Sequence, residues 1–336
     1  TADPTFLHPA FVDQPVFRFL QQIDSRKRVY VVYPALADKP EPLGPGWQAE
    51  DILFGEVPPR SVFPVNGNML EIAYRPDGSM KCYPGQLQSA PFINEPAPDC
   101  NYTAIRKKDV LANRYERFCV DQPVARESYP FNPDNDHLYT KILSDTLKRS
   151  VIEVADAPTG NWQMVYSRPL DSILVRLNYY SDNFLGEQGL LMAAQRRIGR
   201  FSASQLIDTL LTIDWAAMPQ HPHWVDGSGV SRYNLNTPEN LVFILRRLYE
   251  RQGIDRMKRM LPTGGQGTLR KYFLSDSGYV YAKTGGLSNI QSLSGYVLTQ
   301  NRQILVFSIL ANHYPGALTP VRKRIEAFVS YLRRQF

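Results

Sequence analysis

Apolar residues recur with helical spacing along most of the second half of the chain. The pattern predicts helices over residues 169–180, 184–198 and 203–215. A further helix begins at Thr237-Pro238, where threonine suits the N-cap and proline the first turn, and it stops at Gly253. A last helix opens at Thr319-Pro320, and its predicted apolar face carries Val321, Ile325, Phe328, Val329 and Leu332.

Three segments of the same half have the pattern of extended strands. They cover residues 280–285, 292–299 and 304–311. The third is nearly continuous in apolar residues, as expected for a central strand that is covered on both faces. We therefore predict two or three antiparallel strands backed by the last helix, which together form an α/β sandwich.

The first 155 residues differ from the rest of the chain. Prolines crowd residues 34–64, and short runs rich in β-forming residues, such as 69–74, interrupt long loops. Residues 136–150 show helical periodicity. We predict a β-rich accessory region over residues 1–155 and a second domain over residues 156–336.

The composition is typical of a soluble globular protein with a substantial core, because 43% of the residues are apolar and 21% are charged. No stretch approaches the roughly 18 apolar residues of a transmembrane helix. The net charge of +6 is modest. The cluster Arg322-Lys323-Arg324 falls on the predicted polar face of the last helix, which indicates a solvated surface rather than nucleic-acid binding. A scattered basic surface is also compatible with an anionic cell wall or membrane.

The cysteines and histidines form no pattern that is specific for a metal. Cys82, Cys100 and Cys119 lack CxxC spacing, so one disulfide with a free thiol and three reduced cysteines both remain open. His221 and His223 lack a third ligand and helical spacing, which indicates a loop. We expect neither a bound metal nor a cofactor.

Two short motifs carry candidate chemistry. Lys283-Thr284-Gly285 stands at a strand edge, where lysine and threonine can hold a carboxylate and glycine admits a substrate backbone. Ser181-Asp182-Asn183 lies between two predicted helices. Each motif alone has a structural explanation, a strand end before a Gly-rich hairpin in one case and a helix N-cap in the other. Together they match two of the three signatures of class A β-lactamases and penicillin-binding proteins.

Further segments extend this match along almost the whole chain. The chain resembles the D-alanyl-D-alanine carboxypeptidase/endopeptidases, the class C low-molecular-mass penicillin-binding proteins. The resemblance implies the penicillin-recognising serine acyltransferase fold, with residues 1–155 as an inserted region and 156–336 as the catalytic domain. The matching segments are ADPTF (2–6), PGW (45–47), SDNFLGEQGLL (181–191), DGSGVSRYNLNTPENL (226–241), LPTGGQGTLRKY (261–272) and AKTGGLSNIQSLSGYV (282–297).

The resemblance assigns catalytic roles to Ser181, Asn183 and Lys283. Ser181 is expected to pass a proton to the leaving amine, Asn183 to hold a peptide amide and Lys283 to supply positive charge. Substrate-binding roles fall to Thr284, Gly285 and Gly286. Thr284 is expected to bind the terminal carboxylate and the backbone N–H of Gly286 to contribute to the oxyanion hole. Many family members carry a hydroxyl residue where this chain has Gly286.

The third motif, a Ser-x-x-Lys nucleophile pair, is not found in the sequence. No serine has lysine three residues later, and the nearest case is Ser144 with Lys148 four residues on. Members of the family carry this motif N-terminal to the segment that corresponds here to Asp3-Pro4-Thr5. We therefore expect the nucleophile segment to precede Thr1 in a longer protein. Its loss is the alternative.

The function implied by the resemblance is that of a serine-type D-Ala-D-Ala carboxypeptidase/endopeptidase. Its partners are expected to be peptidoglycan stem peptides that end in D-Ala-D-Ala and β-lactam antibiotics, in the periplasm or cell envelope of a bacterium. The alternative is a catalytically inactive relative that binds peptidoglycan or acts as a scaffold. The strand predicted over residues 29–36 lacks the acidic residue that family members often carry there, so no preference for a stem-peptide side-chain amine is inferred.

Overall fold

The structure is a computed structural model that describes residues 3–32, 39–75, 77, 79–88, 92–93, 100–109, 111–156, 159–161 and 163–336. Its backbone contacts divide the chain into two compact units. The first unit comprises Thr1–Arg168, Asn183–Leu206 and Asp226–Arg232, and the second comprises Pro169–Asp182, Ile207–Val225 and Tyr233–Phe336. The sequence predicted an accessory region and a catalytic domain that meet at residue 155. The division by backbone contacts does not test this functional division, which stays a prediction.

The first unit contains small sheets and short helices. Strands β2, β3 and β6 form one antiparallel sheet, β4 and β5 form a hairpin, and β1 pairs with β7 in parallel. The elements are α1 (Pro15–Gln22), β1 (Val29–Val32), α2 (Ala49–Leu53), β2 (Met69–Tyr74), β3 (Met80–Tyr83), β4 (Thr103–Lys107), β5 (Tyr115–Cys119), β6 (Arg126–Pro130), α3 (Leu138–Leu147), β7 (Val151–Val154) and α5 (Asn183–Ile198).

The cysteine question left open by the sequence is resolved in this unit. Cys100 and Cys119 form a disulfide that ties the segment just before β4 to the end of β5. Cys82 on β3 is buried as a free thiol. Of the strand predicted over residues 29–36, the structure confirms Val29–Val32, and residues 33–36 lie outside the described residues.

The second unit is an antiparallel sheet between helices, as the pattern predicted. Its strands are β8 (Val280–Leu287), β9 (Ile290–Leu298) and β10 (Ile304–Asn312), with β9 in the centre. Its helices include α4 (Leu170–Tyr180), α7 (Pro238–Gln252), α8 (Ile254–Met260) and α9 (Leu318–Gln335). Apolar side chains of β8 and β9 pack against Ile325 and Val329 of α9 on one face. On the other face, Tyr281 and Tyr296 pack against α7 and α8.

Most predicted helix boundaries are confirmed, and the physical signals are the expected ones. The hydroxyl of Thr237 accepts a hydrogen bond from the N–H of Asn240, and Gly253 ends α7 with φ of 74°. The predicted helix over residues 203–215 is α6 (Ala203–Thr209) followed by a turn of π-helix, Leu210–Asp214. Among the described residues, no helix is long and apolar enough to cross a membrane.

Four expectations need correction. The strand predicted over residues 304–311, expected to be central and covered on both faces, is β10 at one edge of the three-stranded sheet, and only Phe307 of it is fully buried. The strand predicted over residues 280–285 continues to Leu287, and a tight two-residue turn at Ser288-Asn289 joins it to β9. Phe328, assigned to the apolar face of the last helix, is 52% exposed. Arg322, assigned to the polar face, is half-buried and lines a pocket, whereas Lys323 and Arg324 are exposed.

Candidate active site

The pleat of β8 separates the side chains of Lys283 and Thr284. Val280 and Ala282 belong to the core beneath α9, and Thr284 lines a pocket on that same side. Lys283 alternates with them, so its side chain lies on the opposite face of the strand. The two polar residues of the Lys-Thr-Gly motif therefore serve different faces of one edge strand.

Lys283 and Ser181 come together within the second unit. The Nζ of Lys283 donates a hydrogen bond of 2.6 Å to the Oγ of Ser181 and another of 2.7 Å to the carbonyl oxygen of Thr284. An ammonium group has three donors, so one remains for a further partner. Among the described residues, no carboxylate lies within salt-bridge distance of this Nζ. The lysine is thus free to interact with an incoming negative charge.

The missing counter-charge affects the protonation of the lysine. Burial lowers the pKa of Lys283 to about 8, because the charged form loses hydration that no carboxylate replaces. A group with a pKa near neutral exchanges a proton readily at physiological pH. The pair formed by Lys283 and Ser181 is therefore chemically suited to proton transfer.

The backbone of Ser181 adopts an unusual conformation between α4 and α5. Ser181 ends α4 with φ of 55° and ψ of 49°, a left-handed conformation that non-glycine residues adopt at a cost. The next residue, Asp182, forms a salt bridge of 3.0 Å with Arg176 of α4. Ser181 does not begin α5, which starts at Asn183. Its hydroxyl instead points to Lys283.

The edge of β8 that does not face β9 is open beyond Ala282. The N–H of Ala282 points away from β9, because it donates to the carbonyl oxygen of Pro262 at 3.1 Å. Alternate residues of a strand direct their N–H groups to the same side, so the N–H of Gly286 points to this edge as well. No strand of the described residues pairs with β8 there. An extended peptide could pair with this edge.

The two glycines of the motif differ in the space around them. A Cβ on Gly285 would lie 2.3 Å from the Oγ of Ser292, so this residue keeps the strand pair close. A Cβ on Gly286 would meet nothing nearer than the Oε1 of Gln291, at 3.8 Å. The site therefore has room for a side chain at residue 286.

Asn183 belongs to the first unit. Its Nδ2 donates a hydrogen bond of 2.8 Å to the carbonyl oxygen of Glu56. The amide nitrogen is thus used to fix the start of α5. The oxygen of the side chain is the atom that would accept a hydrogen bond from a peptide N–H.

A buried polar network follows Asn183 in the first unit, and sequence reasoning missed it. Glu187, one turn along α5, is fully buried and accepts hydrogen bonds from the guanidinium of Arg60 at 2.7 Å and from the N–H of Ser228 at 2.7 Å. Burial raises the pKa of Glu187, and the positive charge of Arg60 opposes that effect. The network fixes α5 to the segment that begins at Asp226.

Asp226 organises that segment. Its carboxylate accepts hydrogen bonds from the N–H groups of Gly229 and Ser231 and from the indole Nε1 of Trp47, at 2.8, 2.7 and 3.0 Å. The sequence did not identify this role of Asp226. The signal was present in the matching segments, because Trp47 and Asp226 both fall within them.

A close backbone approach accompanies this network. Cβ atoms built on Gly186 and Gly227 would lie 2.7 and 2.4 Å from the carbonyl oxygen of the other glycine. Only glycine permits such a distance on both sides. The helix that starts at Asn183 is therefore held by backbone contact as well as by buried charge.

Comparison with known proteins places these observations in a family. A family model described as the D-Ala-D-Ala carboxypeptidase 3 (S13) family matches residues 36–333. A penicillin-sensitive carboxypeptidase A of Dictyostelium discoideum is 31% identical over 175 residues, which cover 48% of this chain and 33% of that protein. A D-alanyl-D-alanine carboxypeptidase of an Actinomadura species is 36% identical over 99 residues, which cover 27% of this chain and 18% of that protein. The chain thus spans a third or less of these relatives.

The fold is similar to that of a solved penicillin-binding protein. The crystal structure of penicillin binding protein 4 from Haemophilus influenzae matches with a TM-score of 0.65 and 18% identity, over 88% of this chain and 72% of that chain. The same protein complexed with a β-lactam matches with a TM-score of 0.59. At this level of identity the likeness concerns the fold alone. It confirms the α/β, penicillin-recognising fold class that the sequence predicted.

Proposed function

The chain belongs to the D-Ala-D-Ala carboxypeptidase 3 (S13) family, and we propose on that premise that the protein containing it is a serine-type D-Ala-D-Ala carboxypeptidase. Its substrates would be peptidoglycan stem peptides, and the same acyl-enzyme chemistry would include endopeptidase cleavage and inhibition by β-lactams. The observation that carries this proposal is the hydrogen bond between Lys283 and Ser181.

The reaction needs several groups besides the nucleophile. A proton donor must serve the leaving amine, N–H groups must stabilise the oxyanion, and a polar group must hold the terminal carboxylate. Ser181 would pass a proton to the departing D-alanine nitrogen, and Lys283 would set the charge on that path. Asn183 would accept a hydrogen bond from the stem peptide.

The open edge of β8 would bind the substrate backbone. A peptide lying along this edge would place its scissile carbonyl near the N–H of Gly286, which is the proposed oxyanion donor. Gly285, without a side chain, would let that peptide approach closely. Thr284 would bind the terminal carboxylate from the side of the strand that faces α9.

The nucleophile would be the serine of a Ser-x-x-Lys pair outside these 336 residues, because none of their serines has lysine three residues later. Residues 156–336 would belong to the catalytic domain, with residues 1–155 as the accessory region inserted into it. Export to the periplasm or cell envelope is supported by the disulfide between Cys100 and Cys119, because disulfides persist in oxidising compartments. The second candidate is an inactive relative that binds peptidoglycan.

Intact-mass spectrometry separates the two candidates. The full-length gene product and the 336-residue chain are each incubated with benzylpenicillin. If the protein is an enzyme, we expect the mass of the full-length product to increase by one β-lactam and the mass of the 336-residue chain to stay unchanged. No adduct on the full-length product would contradict the enzymatic function, and an adduct mapped to a serine of the 336 residues would contradict the proposed source of the nucleophile.

A further inference from the structure

A small pocket of about 20 Å³ opens on the α9 side of β8, and Thr284 is one of its lining residues. Leu293, the cross-strand partner of Thr284, lines it as well. Polar groups converge on this apolar wall from α9, from β9 and from the loop before β8. They are Thr268, Tyr272, Thr284, Gln291 and Arg322.

Arg322 is the one cation that lines the described pocket, and its guanidinium is fixed in place. Its Nε donates a hydrogen bond of 2.9 Å to the Oε1 of Gln291, and its Cζ lies 5.4 Å from the centre of the Tyr272 ring. Gln291 is 2% exposed and is itself fixed, because its Nε2 donates to the carbonyl oxygens of Gly285 and Ser292. The orientation of the guanidinium is therefore set by buried groups.

This guanidinium lacks an anionic partner. Within the part of the chain that the structure describes, no carboxylate pairs with Arg322, and its Nη2 has no acceptor. The hydroxyl of Thr268, another lining residue, is buried without a partner in that part of the chain. Buried polar groups are normally hydrogen-bonded, so this hydroxyl points to a ligand, and the guanidinium of Arg322 in the same pocket supplies a positive charge for it. A planar guanidinium is best suited to a carboxylate, which it can bind through two parallel hydrogen bonds.

We propose that Arg322, together with Thr284 and Gln291, forms the subsite for the terminal carboxylate of the D-Ala-D-Ala stem peptide. This inference rests on the proposed function and makes Arg322 a specificity-determining residue. The cation beside the threonine of the Lys-Thr-Gly motif is then Arg322 of α9 rather than Lys283. Lys283 lies on the other face of β8 and remains available for the proton path.

The position of Gly286 fits this assignment. Gly286 is opposite Gln291 in the strand pair and lies on the same face of β8 as Thr284. A hydroxyl residue at this position would add a donor on the Arg322 side of the strand. In this chain the glycine leaves that place empty, so a larger share of the carboxylate binding falls to Arg322.

The test compares the binding of a carboxylate with that of its neutral amide. Isothermal titration calorimetry is performed on the 336-residue chain with N-acetyl-D-Ala-D-Ala, with its C-terminal carboxamide and with free D-alanine. The wild-type chain is expected to prefer the acid over the amide by roughly 10- to 100-fold, as for a hydrogen bond to a charged group. Arg322→Gln should abolish this preference, and Arg322→Lys should retain part of it.

Arg324→Gln is the matched control, because Arg324 is exposed on the same helix. It should keep the wild-type preference, and equal melting temperatures of the variants exclude unfolding as the cause of a loss. Binding of the dipeptide without binding of D-alanine supports recognition of a peptide terminus. Equal binding of both contradicts the stem-peptide assignment. An unchanged acid preference in Arg322→Gln, or no binding of the acid at all, overturns the subsite.

The outcome is independent of the test of the catalytic function. If the full-length product forms a penicillin adduct but Arg322→Gln keeps the acid preference, the subsite is wrong and the enzymatic function stands. If the acid preference depends on Arg322 but no adduct forms, the subsite is right and the protein is a binding relative.

Discussion

The Nζ of Lys283 lies 2.6 Å from the Oγ of Ser181, although the two residues are far apart in the chain. This contact joins the end of α4 to the edge strand of the sheet within one compact unit. It would give the two sequence motifs a common proton path, and this proposal can be tested by removing the two residues singly and together.

We expect Ser181→Ala and Lys283→Ala each to reduce D-alanine release by the full-length enzyme roughly 10²- to 10⁴-fold, the range for a lost proton-transfer or oxyanion contribution. The double variant should be close to the worse single variant, because groups that act as a unit are not additive. A steady-state assay of the three variants decides this. Fully multiplicative losses would show that the two residues act separately.

The pH dependence of the enzyme should report the burial of Lys283. If the charged lysine is required, D-alanine release falls as the pH rises through about 8, where the group loses its proton. Lys283→Arg should move this limb to higher pH, because arginine stays protonated. A pH–rate profile of both proteins measures the shift. A profile of the wild type that is flat across this range would exclude the charged form as the active one.

The stability of the second unit should also depend on pH, because Lys283 has a different pKa in the folded and unfolded states. The pKa of Lys283 in the folded state is lowered to about 8, whereas the unfolded lysine titrates at about 10.4. Below about pH 8 the buried charge of Lys283 therefore lowers the free energy of unfolding by its full amount. This loss of stability disappears as the pH rises towards about 10.4, the pKa of the unfolded lysine. Melting temperatures of the wild type should rise relative to those of Lys283→Met between about pH 8 and pH 10. An unchanged difference would contradict the lowered pKa.

The sequence predicted those helices and strands whose signals lie within the element itself. The helix starting at Thr237-Pro238 and the strands around Lys283 have strong periodicity and caps, and the structure has them nearly as predicted. The short α8 was missed, because it follows Gly253 directly and has too few residues to show periodicity. The exposed Phe328 shows that an apolar stripe on a helix can be wider than the face that packs.

The sequence likewise predicted only part of the candidate site. The two motifs predicted which residues are polar at the site, but not that Lys283 and Thr284 lie on opposite faces of β8, because that requires the register of the strand. The half-buried position of Arg322 was not predicted for the same reason, since three adjacent basic residues on a helix point in different directions. The ion pair of Arg60 and Glu187 was invisible, because 127 positions separate its partners along the chain.

Gly286→Ser should strengthen the binding of carboxylate ligands. A Cβ at this position has space, and the added hydroxyl would lie on the same strand face as Thr284. The expected gain is roughly tenfold in the affinity for N-acetyl-D-Ala-D-Ala, at the lower end for a hydrogen bond to a charged group. Gly286→Ala is the control that adds the Cβ without the hydroxyl. Equal effects of serine and alanine would assign the change to the backbone instead.

The ion pair between Arg60 and Glu187 should contribute strongly to the stability of the first unit. Removing only Arg60 should cost more than removing both residues. Their side chains are 5% and 0% exposed, and the guanidinium lies 2.7 Å from the carboxylate. Arg60→Met leaves a buried carboxylate without its cation, which should cost about 3–5 kcal/mol. Combining it with Glu187→Met removes the stranded charge, although it also leaves the N–H of Ser228 without its acceptor. The double variant should therefore be more stable than Arg60→Met, as measured by urea unfolding with a probe of the first unit. A double variant that loses the sum of the two single effects would show that these residues do not interact energetically.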